Sequence, residues 1–187
     1  MRIFVLTLFP GMFEGVLNHS ILKRAIARKH LTVHLYNIRD FAQDKHKMTD
    51  DEPYGGGGGM VMKPEPIFRA LDKIQQDNSL VIYLSPEGES FNQEIAEELV
   101  TCPHLIFLCG HYEGIDERVR SVIQRELSLG EYVCSGGEFP ALVIIDVICR
   151  LLPGVVGNEQ SVVQESFSSG ILDYPSFTRP RQYRGLE

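Results

Sequence analysis

The chain has 187 residues, of which 43% are hydrophobic, enough to bury one core and too apolar for a disordered or fibrous protein. Its formal net charge of −7 argues against a self-sufficient nucleic-acid binder, whose surface usually carries excess basic charge. No apolar run approaches membrane-spanning length, and the apolar start MRIFVLTLFPGMF lacks a basic lead and a small-residue cleavage site, so a cytoplasmic protein is expected.

Residues 2–8 read as a buried first strand, and Phe9-Pro10-Gly11 then turns the chain into a helical pattern reaching about residue 29. Residues 31–38 alternate like a strand. From 39 to about 64 there is no period, only charge and glycine (RDFAQDKHKMTDDEPYGGGGGMVMKP), and a loop of that length is usually functional or disordered. Pro64 suits the first turn of a helix through about residue 76. A strand over 80–84 is expected to stop at Ser85-Pro86-Glu87-Gly88. A helix over 92–100, a strand over 104–109, a helix over 116–125 and a short strand over 132–134 follow. A last apolar helix spans about 139–152 and ends at Pro153-Gly154, beyond which periodicity disappears and the chain reads as a linker.

This alternation predicts an α/β fold with a mostly parallel sheet flanked by helices, and ligands at the carboxyl ends of its strands. Three loops of small residues fall at such ends: 84–88, 109–114 and 129–137. Singly they are ordinary turns. Together they predict a site where main-chain groups hold an adenine edge and a ribose. The run Gly55 to Gly59 matches neither familiar phosphate loop: Lys63 is followed by Pro64, and Met60 replaces the third glycine of the dinucleotide fingerprint. A flexible surface loop is the ordinary reading of such a run. Its setting favours function, because Lys45, His46, Lys47, Asp50, Asp51 and Tyr54 crowd beside glycines that permit close backbone approach. Cys102, Cys109, Cys134 and Cys149 form no C-x-x-C pair and the histidines are scattered, so no metal site and no disulfide framework is expected, only reduced thiols.

The segments PYGGGGGMVMKPEP, GHYEGIDERV, LGEYVCSGGE, LLPGVVGNEQS and ESFSSGILDYPSFTRP, in this order, resemble the bacterial tRNA (guanine-N1)-methyltransferases, the TrmD family of the SPOUT superfamily, over essentially the whole chain. The resemblance implies a deep C-terminal trefoil knot, S-adenosylmethionine as cofactor, tRNA as partner, and a homodimer whose active site combines residues of both subunits. It divides the chain into a knotted catalytic body, 1–157, and an interdomain linker, 158–187. Family members continue into a helical region that grips tRNA, and this chain ends at Glu187.

Carried over residue by residue, the cofactor pocket is lined by Tyr83, Leu84, Ser85 and Pro86, then by Gly110, Tyr112, Glu113 and Gly114. Leu129, Gly130, Glu131, Tyr132, Val133, Cys134, Gly136, Gly137 and Pro140 complete it. Lys45, His46, Asp50, Tyr54, Gly58 and Gly59 are the expected RNA contacts. Arg150 and Glu165 match the family's catalytic arginine and acid. The chemistry suits both, since methylation at guanine N1 must remove a proton, which a carboxylate accepts, and a forked guanidinium stabilises charge spreading onto O6. Taken without the resemblance, Arg150 is a helix-end arginine and Glu165 a solvated linker charge.

The chain departs from the family pattern at several positions. His111 stands where Arg is frequent, Glu131 and Glu165 where Asp is common, and Cys134 where Leu is common. The sulfonium brings its own leaving group, so no metal is needed at the methyl, although magnesium could assist the RNA. Two other readings stay open: a ribose or ribosomal RNA methyltransferase of the same superfamily, for which the Gly-rich loop and the Glu165 segment have no use, and a catalytically silent RNA- or cofactor-binding module.

Overall fold

The computed structural model describes residues 1–157, 166 and 174–186. Five strands form one parallel sheet: β1 (Arg2–Thr7), β2 (Thr32–Asn37), β5 (Ser79–Ser90), β6 (His104–Cys109) and β7 (Arg125–Ser128), in the order β2-β1-β6-β5-β7. A two-stranded antiparallel ribbon, β3 (Asp50–Asp51) and β4 (Val61–Met62), lies apart from it. Among the described residues five α-helices accompany the sheet: α1 (Gly11–Leu17), α2 (Ser20–Ala27), α3 (Pro64–Ile74), α4 (Gln93–Val100) and α5 (Glu138–Leu151).

The central strands are apolar on both faces, as a parallel sheet covered on both sides requires. In β1, Ile3 and Val5 join the core formed with α1, α2, α4 and α5, whereas Phe4 and Leu6 join the core beneath α3. β6 divides the same way, with Leu105, Phe107 and Cys109 on one face and Ile106 and Leu108 on the other. Ligands to such a sheet can approach only over its edges or strand ends, and here the carboxyl ends are where the loops gather.

Several boundaries differ from the sequence expectation. The helix expected up to residue 29 is two helices, because the Asn18 side chain turns back to donate to the Glu14 carbonyl at 2.8 Å and competes with continued helix bonding. The loop 39–64 is partly organised: its second half folds back on itself as β3 and β4, Asp50 pairing with Met62 and Asp51 with Val61. The expected helix over 116–125 is a 3-10 turn, Glu117–Val122, capped by Asp116. Gln124 then ties the chain to Val81, accepting from its N–H at 2.7 Å and donating to its carbonyl at 3.1 Å, so Arg125 opens β7 instead. Residues 132–134 are loop, not strand.

The largest revision concerns β5. It does not stop at residue 84: it bulges outward over 85–88 and rejoins the sheet, with Leu84 and Glu89 both registered to Leu127 and Ser90 to Ser128. Gly88 permits the return, since a Cβ there would lie 2.5 Å from the Leu127 amide nitrogen.

Candidate active site

Three loops from the carboxyl ends of β5, β6 and β7 enclose a cleft of about 430 Å³, within the size range of small-molecule sites. The β5 bulge supplies one wall with Ser85 and Pro86, and the chain after β6 supplies Gly110 to Ile115. The stretch after β7 and the first turn of α5 close it with residues 127–130, 132–137 and Pro140. All the expected cofactor residues therefore meet here except Glu131, whose exposed side chain lies outside the lining while Gly130 and Tyr132 on either side belong to it.

Close packing at the glycines sets the shape. A Cβ on Gly110 would stand 2.9 Å from the Tyr83 hydroxyl, and one on Gly137 would stand 2.7 Å from the Cys109 Cα. Gly137 donates to the Gly110 carbonyl at 2.9 Å, and His111 and Gly136 form a β-bridge, so two of the loops are sewn together at the cleft floor. Tyr112 holds a left-handed φ of 59°, a conformation costly for a bulky side chain and usually kept where the surroundings impose it. Burial, reinforced by Glu126, pushes the Tyr83 phenol up to about 12, so it stays protonated.

Below the floor lies a group that sequence reasoning passed over. Glu138, 1% exposed, accepts from the Thr7 hydroxyl at 2.7 Å and has its other oxygen 4.0 Å from His111 Nδ1. A carboxylate in the first turn of α5 is favoured by the helix dipole, and this one links the ends of β1 and β6. Arg120 and Glu87 also line the cleft. Glu87 lies in the first of the expected site loops, whereas Arg120 was hidden in a segment read as a helix.

One part of the expected RNA-contact segment is bonded to the chain that lines the cleft. The Glu113 N–H donates to the Met60 carbonyl and the Met62 N–H to the Gly114 carbonyl, each at 2.9 Å. The ribbon that carries the glycine run is thus fixed to the cleft's second loop. Gly59, with φ of 85°, packs against the Glu113 side chain, its would-be Cβ 2.5 Å from Cγ. Asp50 lies in β3, Gly58 has nothing near its would-be Cβ, and Tyr54 is fully exposed. Lys45 and His46 sit in an exposed turn organised by Asp44, which accepts from the His46 and Met48 amides. The Met48 amide, more than the other donors, holds the Asp44 carboxyl below its ordinary range.

Arg150 is not brought to this cleft by its own chain. It stands in the last turn of α5, whose first turn forms the cleft floor. Twelve residues at about 1.5 Å rise separate it from Glu138 by roughly 18 Å. Glu165 lies outside the described residues. Among the described residues no cluster of His, Cys, Asp and Glu is arranged to hold a metal, and no helix is long and apolar enough to cross a membrane.

Fold and cleft together define a parallel-sheet α/β protein with a small-molecule site built from strand-end loops. Comparison with known proteins narrows this. The family described as tRNA (Guanine-1)-methyltransferase TrmD matches residues 1–187. A tRNA (guanine-N(1)-)-methyltransferase of Carboxydothermus hydrogenoformans is 56% identical, the match covering 100% of this chain and 74% of that protein. Its counterpart in Dictyoglomus turgidum is 54% identical, with 100% and 76% covered. The crystal structure of tRNA (m1G37) methyltransferase from Aquifex aeolicus superposes with a TM-score of 0.85 at 39% identity, covering 100% of this chain and 79% of that one. The chain belongs to the tRNA (guanine-1)-methyltransferase family.

Proposed function

We propose that this chain transfers a methyl group from S-adenosylmethionine to N1 of the guanine 3′ to the anticodon, position 37, in tRNA. The observation that carries the proposal is the convergence of three strand-end loops on one cleft, with the glycine ribbon hydrogen-bonded to the second of them. The residues present suit the cofactor. The lining segments 84–86, 110–114, 129–130 and 132–134 are loops of the kind whose main chain holds an adenine and a ribose, and Glu113 offers negative charge for a sulfonium. When bound, the cofactor supplies an electrophilic methyl whose sulfur is its own leaving group.

The chain's own residues then have two tasks. Glu165 accepts the guanine N1 proton, and Arg150 stabilises the charge that develops on O6. Lys45, His46, Asp50, Tyr54, Gly58 and Gly59 present the RNA to the cleft. Because Arg150 stands about 18 Å from its own cleft floor, it serves a neighbouring subunit's cleft, and the active unit is a homodimer. The exposed Phe139 and Val143 on α5, 57% and 46% accessible, are suited to that contact. The body, 1–157, carries the trefoil knot and 158–187 the linker. Magnesium, where it assists, comes with the RNA, and the location is cytoplasmic.

The test is methylation of a tRNA transcript carrying guanine or adenine at position 37, with subunit mixing. Arg150→Ala and Gly110→Val are each expected to be inactive. Co-expressed at equal levels, they should restore about a quarter of wild-type activity, because about half of the dimers are mixed and each mixed dimer has one of its two sites intact. Methylation of the adenine transcript would overturn the specificity. Activity of Arg150→Ala alone would overturn the role of Arg150, and no recovery on co-expression would overturn the shared site.

A further inference from the structure

The first wall of the cleft is unusual in being a detour: β5 leaves the sheet after Leu84 and returns at Glu89, so residues 85–88 hang between two paired segments. Backbone pairing fixes the two ends and leaves the middle to side chains. Two carboxylates mark it, Glu87 within the detour and Glu89 at its return, and each meets an arginine.

Arg125 holds the far end. Its Nε donates to Glu89 and its Nη1 to Glu98 of α4 at 2.7 Å. Its side chain is 20% exposed, and hydrogen bonds to the two carboxylates raise its basicity further. That end is a fixed anchor.

Arg120 holds the cleft side. Its Nη2 donates to Glu87 at 2.7 Å, its Nη1 to Glu126 on β7, and its Nε stands 3.0 Å from Glu117. The guanidinium lies 5.8 Å from the centre of the Tyr83 ring, on the strand that enters the detour. One cation therefore serves three carboxylates and an aromatic face, and it joins the detour to the neighbouring strand. Without that cation, Glu87, Glu117 and Glu126 repel one another, and Glu87, 74% exposed, is free to swing toward water.

We propose that Arg120 is a positioning residue for the cofactor: by holding Glu87 against Glu126 it sets the shape of the 85–88 wall, and so the affinity of the cleft. This rests on the cofactor reading given above. The partner Glu87 is largely in solvent, and ion pairs of that kind contribute little to fold stability. The consequence of the contact is felt in the cleft it shapes more than in unfolding. Being exposed on one side, the clamp also weakens with salt.

The experiment is calorimetric titration of the full chain with S-adenosylhomocysteine, using Glu87→Gln and Arg120→Gln. Each is expected to raise Kd roughly three- to tenfold, and the double variant to be no weaker than Arg120→Gln alone, as coupled positions behave. The KM for S-adenosylmethionine should rise in step while kcat at saturating cofactor stays within about twofold. Arg120→Lys, which keeps the charge without the fork, should recover part of the loss. Glu87→Gln replaces an exposed group and will fold, so it decides the matter if Arg120→Gln does not. Wild-type affinity in Glu87→Gln, or loss of kcat with KM unchanged, overturns the clamp. If the wild-type chain itself fails to bind S-adenosylhomocysteine, the cofactor reading falls and the clamp with it.

Discussion

Replacing Gly137 with alanine tests the cleft floor most sharply. The new Cβ would lie 2.7 Å from the Cys109 Cα, 3.1 Å from its Cβ and 3.2 Å from the Gly110 nitrogen. Two of these atoms are backbone, one in the last residue of the sheet's most buried strand and one just beyond it, so the loop must retreat by about 1 Å to reach ordinary contact distance. Overpacking of this kind costs about 1–3 kcal/mol. The retreat also weakens the Gly137 N–H bond to the Gly110 carbonyl, about 1 kcal/mol more. A loss near 3 kcal/mol lowers Tm by about 6–12 °C in a chain of this size. Because the yielding part is the cleft floor, S-adenosylhomocysteine affinity should fall at least tenfold even at temperatures where the variant is fully folded. Thermal unfolding at fixed protein concentration and calorimetric titration measure the two quantities. A variant with wild-type Tm and wild-type affinity would show that the floor is not packed as described.

Two further outcomes follow from buried groups. His104 is wholly buried with neither ring nitrogen hydrogen-bonded, and burial, aided by Arg2 and the N-terminal ammonium, holds its imidazolium below the ordinary 6.5. The unfolded chain thus binds a proton that the folded chain refuses, so stability is full above about pH 6.5 and is lost as the pH falls toward the depressed folded value. Urea midpoints at pH 7.5 and 5.5 should differ less in His104→Phe than in the wild type, and an unchanged difference would clear His104 of the effect. Among the thiols, Cys109 is buried with its ionisation suppressed by that burial, and Cys149 is likewise pushed up to about 11. Cys134 is partly exposed in the cleft. Since the thiolate is the reactive form, native-state alkylation should spare Cys109 and Cys149 and modify Cys134 at a rate that saturating S-adenosylhomocysteine slows several-fold. Unprotected labelling of Cys134 would put the ligand elsewhere.

The order of strands and helices was legible because each central strand is a run of apolar residues bounded by glycine or proline, and the 104–109 segment appears as β6 without change. β7 was not, because RELS is half charged and its membership in the sheet is decided by Gln124 bonding to Val81 across a distant part of the chain. The β5 bulge was missed for a related reason. Ser-Pro-Glu-Gly is an ordinary stop, and only the space beside Leu127 reveals that Gly88 lets the strand resume. At the site, the three loops could be chosen from sequence because, although each alone reads as an ordinary turn, three of them fall at strand ends. The resemblance supplied the individual residues. Neither could supply Thr7, Glu138 or Arg120, whose roles come from partners 131 residues away for Thr7 and Glu138, and 33 for Arg120 and Glu87.

The sheet order has a consequence for how the chain is made. β1 is flanked by β2 and β6, and Arg2 pairs with both Thr32 and His104. On a ribosome the first strand can bond to β2 early, yet its other edge waits until more than a hundred residues have emerged. The apolar segment FVL of β1 then stands open during synthesis, presenting an unpaired strand edge of the kind that recruits other chains. Parallel pairings over such separations close slowly. Productive assembly should therefore be sensitive to translation speed between residues 40 and 110, and synonymous codon changes there should alter soluble yield while leaving the purified protein's stability untouched.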